Sequence, residues 1–353
     1  MTIDRLSTPA LLLEESVFLA NRAAMKDLLA GSGLSLRPHY KSHKCAAIAK
    51  MQMADGAVGM TCAKLTEAED LADCGIENIL IANQITDPRK IRRGAELAGD
   101  CRLTVCMDNG DNIDAWEKAA AEAGTEVHCL VEYEIGMQRC GVAAPEEVLA
   151  LAGRIAACSH LHFDGIQAYA GHLSHMADPA ERKRLTGENS GKIRSLLAML
   201  SAAGLPARVL SGGSTGTAAI KAAEGLYTEL QAGSYLFMDA TYRTLGLPFG
   251  NALTVLSTVV SAGPGLVVAD AGVKSCGVDQ GMPVPVGITA EEIVASEEHF
   301  QLHRPDRLPA VGDKIRFVPG HCCSTVNLYD RIYVVDGDKV VDRITVSARG
   351  CSR

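Results

Sequence analysis

Between residues 35 and 233, short β-rich runs alternate with longer helical patterns, and this alternation constrains the fold more than any other feature of the chain. The expected strands are 34–38, 57–62, 78–82, 103–107, 127–133, 163–168, 208–211 and 226–230. Between them lie segments rich in Ala, Leu and Glu, among them 66–74, 112–123, 145–157 and 187–203, often closed by a glycine such as Gly75, Gly124 or Gly204. Thr66, followed three residues later by Glu69, fits a capping box at the start of one of them. About eight strand–helix units whose strands are apolar throughout predict an α/β architecture, a closed parallel (β/α)8 barrel. An open doubly wound sheet would carry G-x-G-x-x-G after its first strand, and the chain has none.

After about Gly250 the helical period fades, and β-rich runs follow at 253–260, 265–270, 314–318, 331–335 and 339–346. The sequence therefore predicts a barrel over 14–248 and a C-terminal β-domain over 249–353, with a further strand from the first 13 residues, in the run 8–13. A net charge of −8 and a pI near 5.7 argue against nucleic acid as the main partner. The basic runs 90–93 and 182–184 read as solvated helix faces. Residues 1–9 lack the apolar core of a signal peptide, and no apolar run reaches the length of a membrane span. Twelve scattered cysteines without C-x-x-C read as reduced thiols in a cytoplasmic protein.

Catalytic groups of a barrel come from the C-terminal ends of its strands and the loops after them. The first such junction is Arg37-Pro38-His39-Tyr40-Lys41-Ser42-His43-Lys44. A lysine held among other cations near a buried strand has its pKa pushed down, so its free amine can form an imine with an aldehyde. Arg139 follows the fifth strand, and Tyr169 and His175 the sixth. Gly212-Gly213-Ser214-Thr215-Gly216 follows the seventh strand and Gly233-Ser234-Tyr235 the eighth. The last two loops are where barrels most often hold phosphate, because glycines let backbone N–H groups face an anion and hydroxyls add donors. Two such loops opposite a candidate imine lysine describe a pyridoxal-phosphate site.

The order Pro38-His39-Tyr40-Lys41, then Gly136-Met137-Gln138-Arg139-Cys140-Gly141, resembles the alanine-racemase-type barrel of pyridoxal-phosphate enzymes. Further stretches narrow the resemblance to the branch of D-threonine and 3-hydroxy-D-aspartate aldolases, which also includes metal-dependent D-serine dehydratases. They are Gly165-Ile166-Gln167-Ala168-Tyr169, Ser211 to Gly216, Glu229 to Tyr235 with Met238-Asp239, Asp270-Ala271-Gly272-Val273-Lys274, Val318-Pro319-Gly320-His321 and Ala348-Arg349-Gly350. The match runs in order from about Thr8 to the C-terminus.

This resemblance implies that Lys41 is the Schiff-base lysine and that Arg139 lies by the cofactor's phenolic oxygen. It also implies that Thr215, Gly216, Gly233 and Ser234 hold the phosphate, with Tyr169 beside the ring and Tyr242 a further contact. His321 and Cys323 would hold one divalent ion; on an extended segment, residues two apart point to the same side. Imidazole with thiolate favours zinc, and manganese or magnesium remain open. Cys322 would face away. His175, preferred over His172 on its spacing from Tyr169, would be the general base toward the substrate β-hydroxyl.

Ala63 stands where close aldolases often carry glutamine, and Cys323 where several have aspartate and the dehydratases cysteine. The leading expectation is retro-aldol cleavage of a β-hydroxy-D-amino acid to glycine and an aldehyde. Dehydration to a 2-oxo acid and ammonia is the alternative, and a non-catalytic pyridoxal-phosphate carrier is a third. The resemblance further implies a homodimer acting on a small molecule.

Overall fold

The computed structural model describes all residues, 1–353, and their contacts divide the chain into two compact units. One comprises residues 26–41, 48–233 and 351–353; the other comprises 1–25, 42–47 and 234–350.

In chain order the elements up to residue 233 are strand β1 (Ala10–Glu14), α1 (Glu15–Leu29), β2 (Ser35–Leu36), α2 (Ala46–Ala54), β3 (Met60–Cys62), α3 (Leu65–Asp73), β4 (Asn78–Ile81) and α4 (Pro88–Leu97). They continue with β5 (Arg102–Met107), α5 (Gly110–Ala123), β6 (Val127–Glu132), α6 (Pro145–Ala156), β7 (Leu161–Ala168), α7 (Pro179–Ala202), β8 (Val209–Gly212), α8 (Ala218–Glu224) and β9 (Glu229–Leu230). Strands β2 to β9 form one parallel sheet in the order β2-β9-β8-β7-β6-β5-β4-β3. A parallel bridge between His39 and Thr61, with the Thr61 N–H donating to Pro38 O at 2.9 Å, joins its two ends, so the expected barrel is closed.

The strands read as apolar because they are covered on both faces: Leu103 to Met107 of β5 and Cys129 to Glu132 of β6 are all buried. Leu80, Cys106 and Leu130 meet as one buried cluster from three neighbouring strands. Outside the sheet, Trp116 of α5 is fully buried against Gly94 of α4, where a Cβ would come within 2.5 Å of the indole. The base of this unit is tied by Arg37, which donates to both Glu229 oxygens at 2.8 and 2.7 Å and to Asn78 Oδ1 at 3.0 Å.

Two local expectations are corrected. The helix expected to open on Thr66 is capped at Lys64, and Glu67 rather than Glu69 accepts the free N–H groups of Ala63 and Lys64, at 2.7 and 3.2 Å. Thr66 instead donates its hydroxyl to Arg353 O. The helix expected from residue 187 starts at Pro179. Asp178 caps it by accepting from the N–H groups of Ala180 and Glu181, the Asp-Pro signature of a helix start. Arg182 is consequently buried and donates to Met176 O, so the run 182–184 is not a wholly solvated face.

The second unit holds β1 together with β10 (Leu253–Gly263), β11 (Leu266–Ala269), β12 (Val284–Pro285), β13 (Glu292–Ala295), β14 (Phe300–His303), β15 (Lys314–Val318), the short helix α9 (Cys322–Val326), β16 (Arg331–Asp336) and β17 (Lys339–Thr345). Its main sheet runs β13-β14-β11-β10-β1-β16-β17, mostly antiparallel, with β15 pairing β10 and β12 pairing β15. β1 lies antiparallel to β10 and parallel to β16, and Leu12, Leu256 and Val335 share a core with Ile3 and Leu6. Strands β12, β13 and β14 lie in a stretch where proline and glutamate mask the β pattern. All twelve cysteines are free. No helix is long and apolar enough to cross a membrane.

Candidate active site

In the barrel unit, β2 ends in a tight turn that carries Lys41, whose N–H donates to His39 Nδ1 at 3.4 Å. Beside it, Tyr40 is fully buried and its hydroxyl donates to Asp70. Lys41 lines a cavity of about 140 Å³ together with His39, Ala63, Arg139, Gln167 and Tyr169, among others. These side chains come from strand ends and the loops that follow them, where a barrel places its chemistry.

The Arg139 guanidinium lies 5.4 Å from the centre of the Tyr169 ring. It also lies 3.8 Å from Glu132, whose carboxyl is pushed up by burial and also accepts from Gln84 Nε2 at 2.5 Å. Gln231 donates to Gln167 Oε1 and to Ser211 Oγ, both at 2.9 Å, so the amides along this wall are fixed in orientation. An aromatic ring bordered by a cation, with oriented amides beside it, suits a planar polar group.

After β8 the chain turns through Gly213, at φ +75°, into the turn Thr215–Thr217 that precedes α8. The Ser214 N–H donates to Thr217 Oγ1 at 3.0 Å. Gly216 packs so closely against the loop after β7 that a Cβ would lie 2.0 Å from Ser174 O. The Ser174 hydroxyl beside it is buried with no hydrogen-bond partner. A glycine-only approach next to an orphaned hydroxyl fits an oxyanion such as phosphate. His175 follows in the same loop, half-buried, whereas His172 is exposed near Gly136. Gly233 is buried at the exit of β9.

Ser234, Tyr242, His321 and Cys323 belong to the other unit. There His321 is the extended residue that caps α9, and Cys323 sits in its first turn. The two side chains meet because a helix starts between them, which corrects the expectation of an extended segment. Cys323 Sγ lies 3.4 Å from Ser42 Oγ and 3.8 Å from Ser234 Oγ. His321 Nδ1 is 2.7 Å from Asp279 Oδ2. Burial lowers the His321 pKa, but hydrogen bonding and charge from Cys323 and Asp279 outweigh it and raise the value to about 9. Cys322 is fully buried; its Sγ lies 3.9 Å from that of Cys323, which together with burial pushes its thiol pKa up.

No three His, Cys, Asp or Glu side chains converge as a ready metal cage. Imidazole and thiol alone leave coordination positions for water and substrate, so the pair fits a catalytic ion and not a closed structural one. Asp239, fully buried, holds the segment in place: it accepts from the Cys322 N–H at 3.1 Å and the Tyr242 N–H at 2.9 Å. Asp279, Ser174 and Glu132 have no mark in the sequence, since an isolated acid or serine carries no spacing signal.

Residues 16–241 match the family model described as alanine racemase, N-terminal domain, and residues 252–335 match a putative serine dehydratase domain. The chain is 37% identical to the D-threonine aldolase of Arthrobacter sp, over 99% of this chain and 95% of that one. It is 38% identical to the 3-hydroxy-D-aspartate aldolase of Paracoccus denitrificans (strain Pd 1222), over 99% and 94%. The D-threo-3-hydroxyaspartate dehydratase of Delftia sp. is more distant, at 30% over 92% and 93%. The crystal structure of a D-threonine aldolase from Filomicrobium marinum superposes with a TM-score of 0.96 at 37% identity, covering 100% of this chain and 98% of that one. The chain thus belongs to the alanine-racemase-type family and, within it, to the branch of the D-threonine and 3-hydroxy-D-aspartate aldolases.

Proposed function

We propose that this chain is a pyridoxal-phosphate- and divalent-metal-dependent lyase that cleaves a β-hydroxy-D-amino acid of the D-threonine type to glycine and an aldehyde. The observation that carries the reading is Lys41 on the wall of the barrel-end cavity, with Arg139 beside Tyr169, in a chain similar to aldolases over nearly its whole length. We assign cofactor binding to 14–248 and the metal ligands to 249–353.

Lys41 would offer the amine that holds the cofactor, and Arg139 would lie by its phenolic oxygen. Thr215, Gly216, Gly233 and Ser234 would hold the phosphate, with Tyr169 and Tyr242 as further residues toward the ring. Pyridoxal phosphate, when bound, supplies the sink for the electron pair left as Cα–Cβ breaks. His321 and Cys323 would hold the ion (zinc, manganese or magnesium), whose chemistry is Lewis-acid polarisation of the substrate β-hydroxyl. His175 takes the proton from that hydroxyl, and an imidazole suits such a transfer near neutral pH. The same reading carries a cytoplasmic homodimer.

Dehydration is the second reading, favoured by Cys323 and by the serine dehydratase match over 252–335. Incubating the purified chain with pyridoxal phosphate, a divalent metal and D-threonine decides between them. Glycine with acetaldehyde supports the aldolase; 2-oxobutanoate with ammonia replaces it by the dehydratase.

A further inference from the structure

We infer that Asp279 is the positioning carboxylate of the metal centre, fixing the His321 ring so that Nε2 is the nitrogen offered to the ion. This rests on the proposed pairing of His321 and Cys323, and adds to it a residue and a tautomer. A carboxylate only accepts, so its 2.7 Å contact keeps a proton on Nδ1 and makes Nε2 the nitrogen that can give up its proton to face an ion. Asp279 is itself held: Ser324, one residue past Cys323, donates from Oγ to Asp279 Oδ1 at 2.6 Å.

The loop that carries Asp279 has little slack. The Gly277 N–H donates to Thr325 Oγ1 at 2.9 Å, and the His321 N–H donates to Gly277 O at 3.2 Å. The Thr241 hydroxyl sits between the carbonyls of Gln280 and Gly320, at 3.1 and 3.0 Å. Both loops of this junction carry a closely packed glycine: a Cβ on Gly320 would lie 1.7 Å from Gly281 O, and one on Gly277 would lie 2.0 Å from Ser324 Oγ. The Asp279 side chain is nevertheless 52% exposed. A contact that open to water adds little to stability, so stability does not account for so tight a placement. Orientation of a ligand does: a carboxylate on the far nitrogen of a metal-binding histidine sets its tautomer and raises its basicity.

The test measures Zn²⁺ affinity by chelator competition and Co²⁺ binding by visible absorption, in the full chain and in Asp279→Ala, Asp279→Asn, His321→Ala and Cys323→Ala. Asp279→Ala is expected to weaken both ions about 10- to 100-fold. The thiolate–cobalt band at saturation should be unchanged, because both ligands remain. Asp279→Asn keeps an acceptor for Nδ1–H but loses the charge, and is expected to fall at the low end of that range, about tenfold. Wild-type affinity in Asp279→Ala, with affinity lost in His321→Ala and Cys323→Ala, overturns the inference alone. Wild-type affinity in His321→Ala and Cys323→Ala overturns the metal reading beneath it. Should Asp279→Ala not fold, Asp279→Asn decides, and unchanged affinity there overturns the inference.

Discussion

The barrel-end cavity and the junction around His321 solve the same problem, holding a few polar side chains in fixed directions, by opposite means. In the barrel, Lys41, Gln167, Tyr169 and Gln231 are delivered by parallel strands whose spacing is set by the ladder, and side chains bond to side chains across it. Around His321 no ladder reaches the site. Two loops and the start of α9 are joined backbone to backbone, through glycines that let carbonyls approach closely, and through the carboxylates of Asp239 and Asp279. The first arrangement distributes its precision over a whole sheet, whereas the second concentrates it in four or five residues. Substitutions should therefore act differently in the two regions.

The largest effect is expected from Lys41→Ala, which should abolish both the visible absorbance of bound cofactor and turnover while leaving the melting temperature near that of the parent. Full activity in that variant would refute the whole scheme. Next comes Glu229→Ala, at the opposite end of the barrel from chemistry. It strands the buried Arg37 guanidinium without its two-oxygen partner. Removing one member of a buried pair costs about 3–5 kcal/mol, so the urea midpoint should fall sharply. A small shift would mean that Asn78 and water suffice.

Gly320→Ala tests the other kind of construction. Its Cβ would overlap Gly281 O, and overpacking of this sort costs about 1–3 kcal/mol. Zn²⁺ affinity should drop with it, since the loop bearing Asp279 is displaced, while cofactor absorbance persists. Affinity unchanged in the face of lost stability would break the comparison.

The smallest effect concerns pH. Asp164 receives a hydrogen bond from Arg102 at 2.7 Å and has His128 Nδ1 at 3.1 Å. Burial pushes its pKa up, but His128 and Arg102 outweigh burial and hold it below the ordinary 3.8. Its folded pKa being depressed, its contribution is present above the unfolded value and is lost as pH falls through the folded one. Denaturant unfolding of Asp164→Asn should show a flatter loss of stability below about pH 4 than the parent; identical acid limbs would remove Asp164 from the account.

The barrel was legible because parallel strands covered on both faces keep an apolar run that side-chain pattern alone reveals, and because glycine marks the helix ends. Expected and observed strands agree to within about three residues, as for 103–107 against Arg102–Met107. Strands β12, β13 and β14 were illegible for the opposite reason: they are only two to four residues long, too short for a pattern to stand out, and β12 includes Pro285. Thr66 and Glu69 satisfied a capping pattern, yet Glu67 serves as the cap's acceptor because the cap lies two residues earlier, at Lys64.

Sequence alone thus determined the elements whose cause is local or periodic: eight strand–helix units, the Lys41 junction, the glycine-rich turns and the H-x-C pair. Only the tertiary structure decided which distant groups complete them. It brought Asp279 to His321 across 42 positions, set Ser174 against Gly216, and placed Glu132 beside Arg139. The reason is physical. A hydrogen bond to a lone carboxylate or hydroxyl depends on where two backbones cross, and that crossing leaves no periodic trace in the chain.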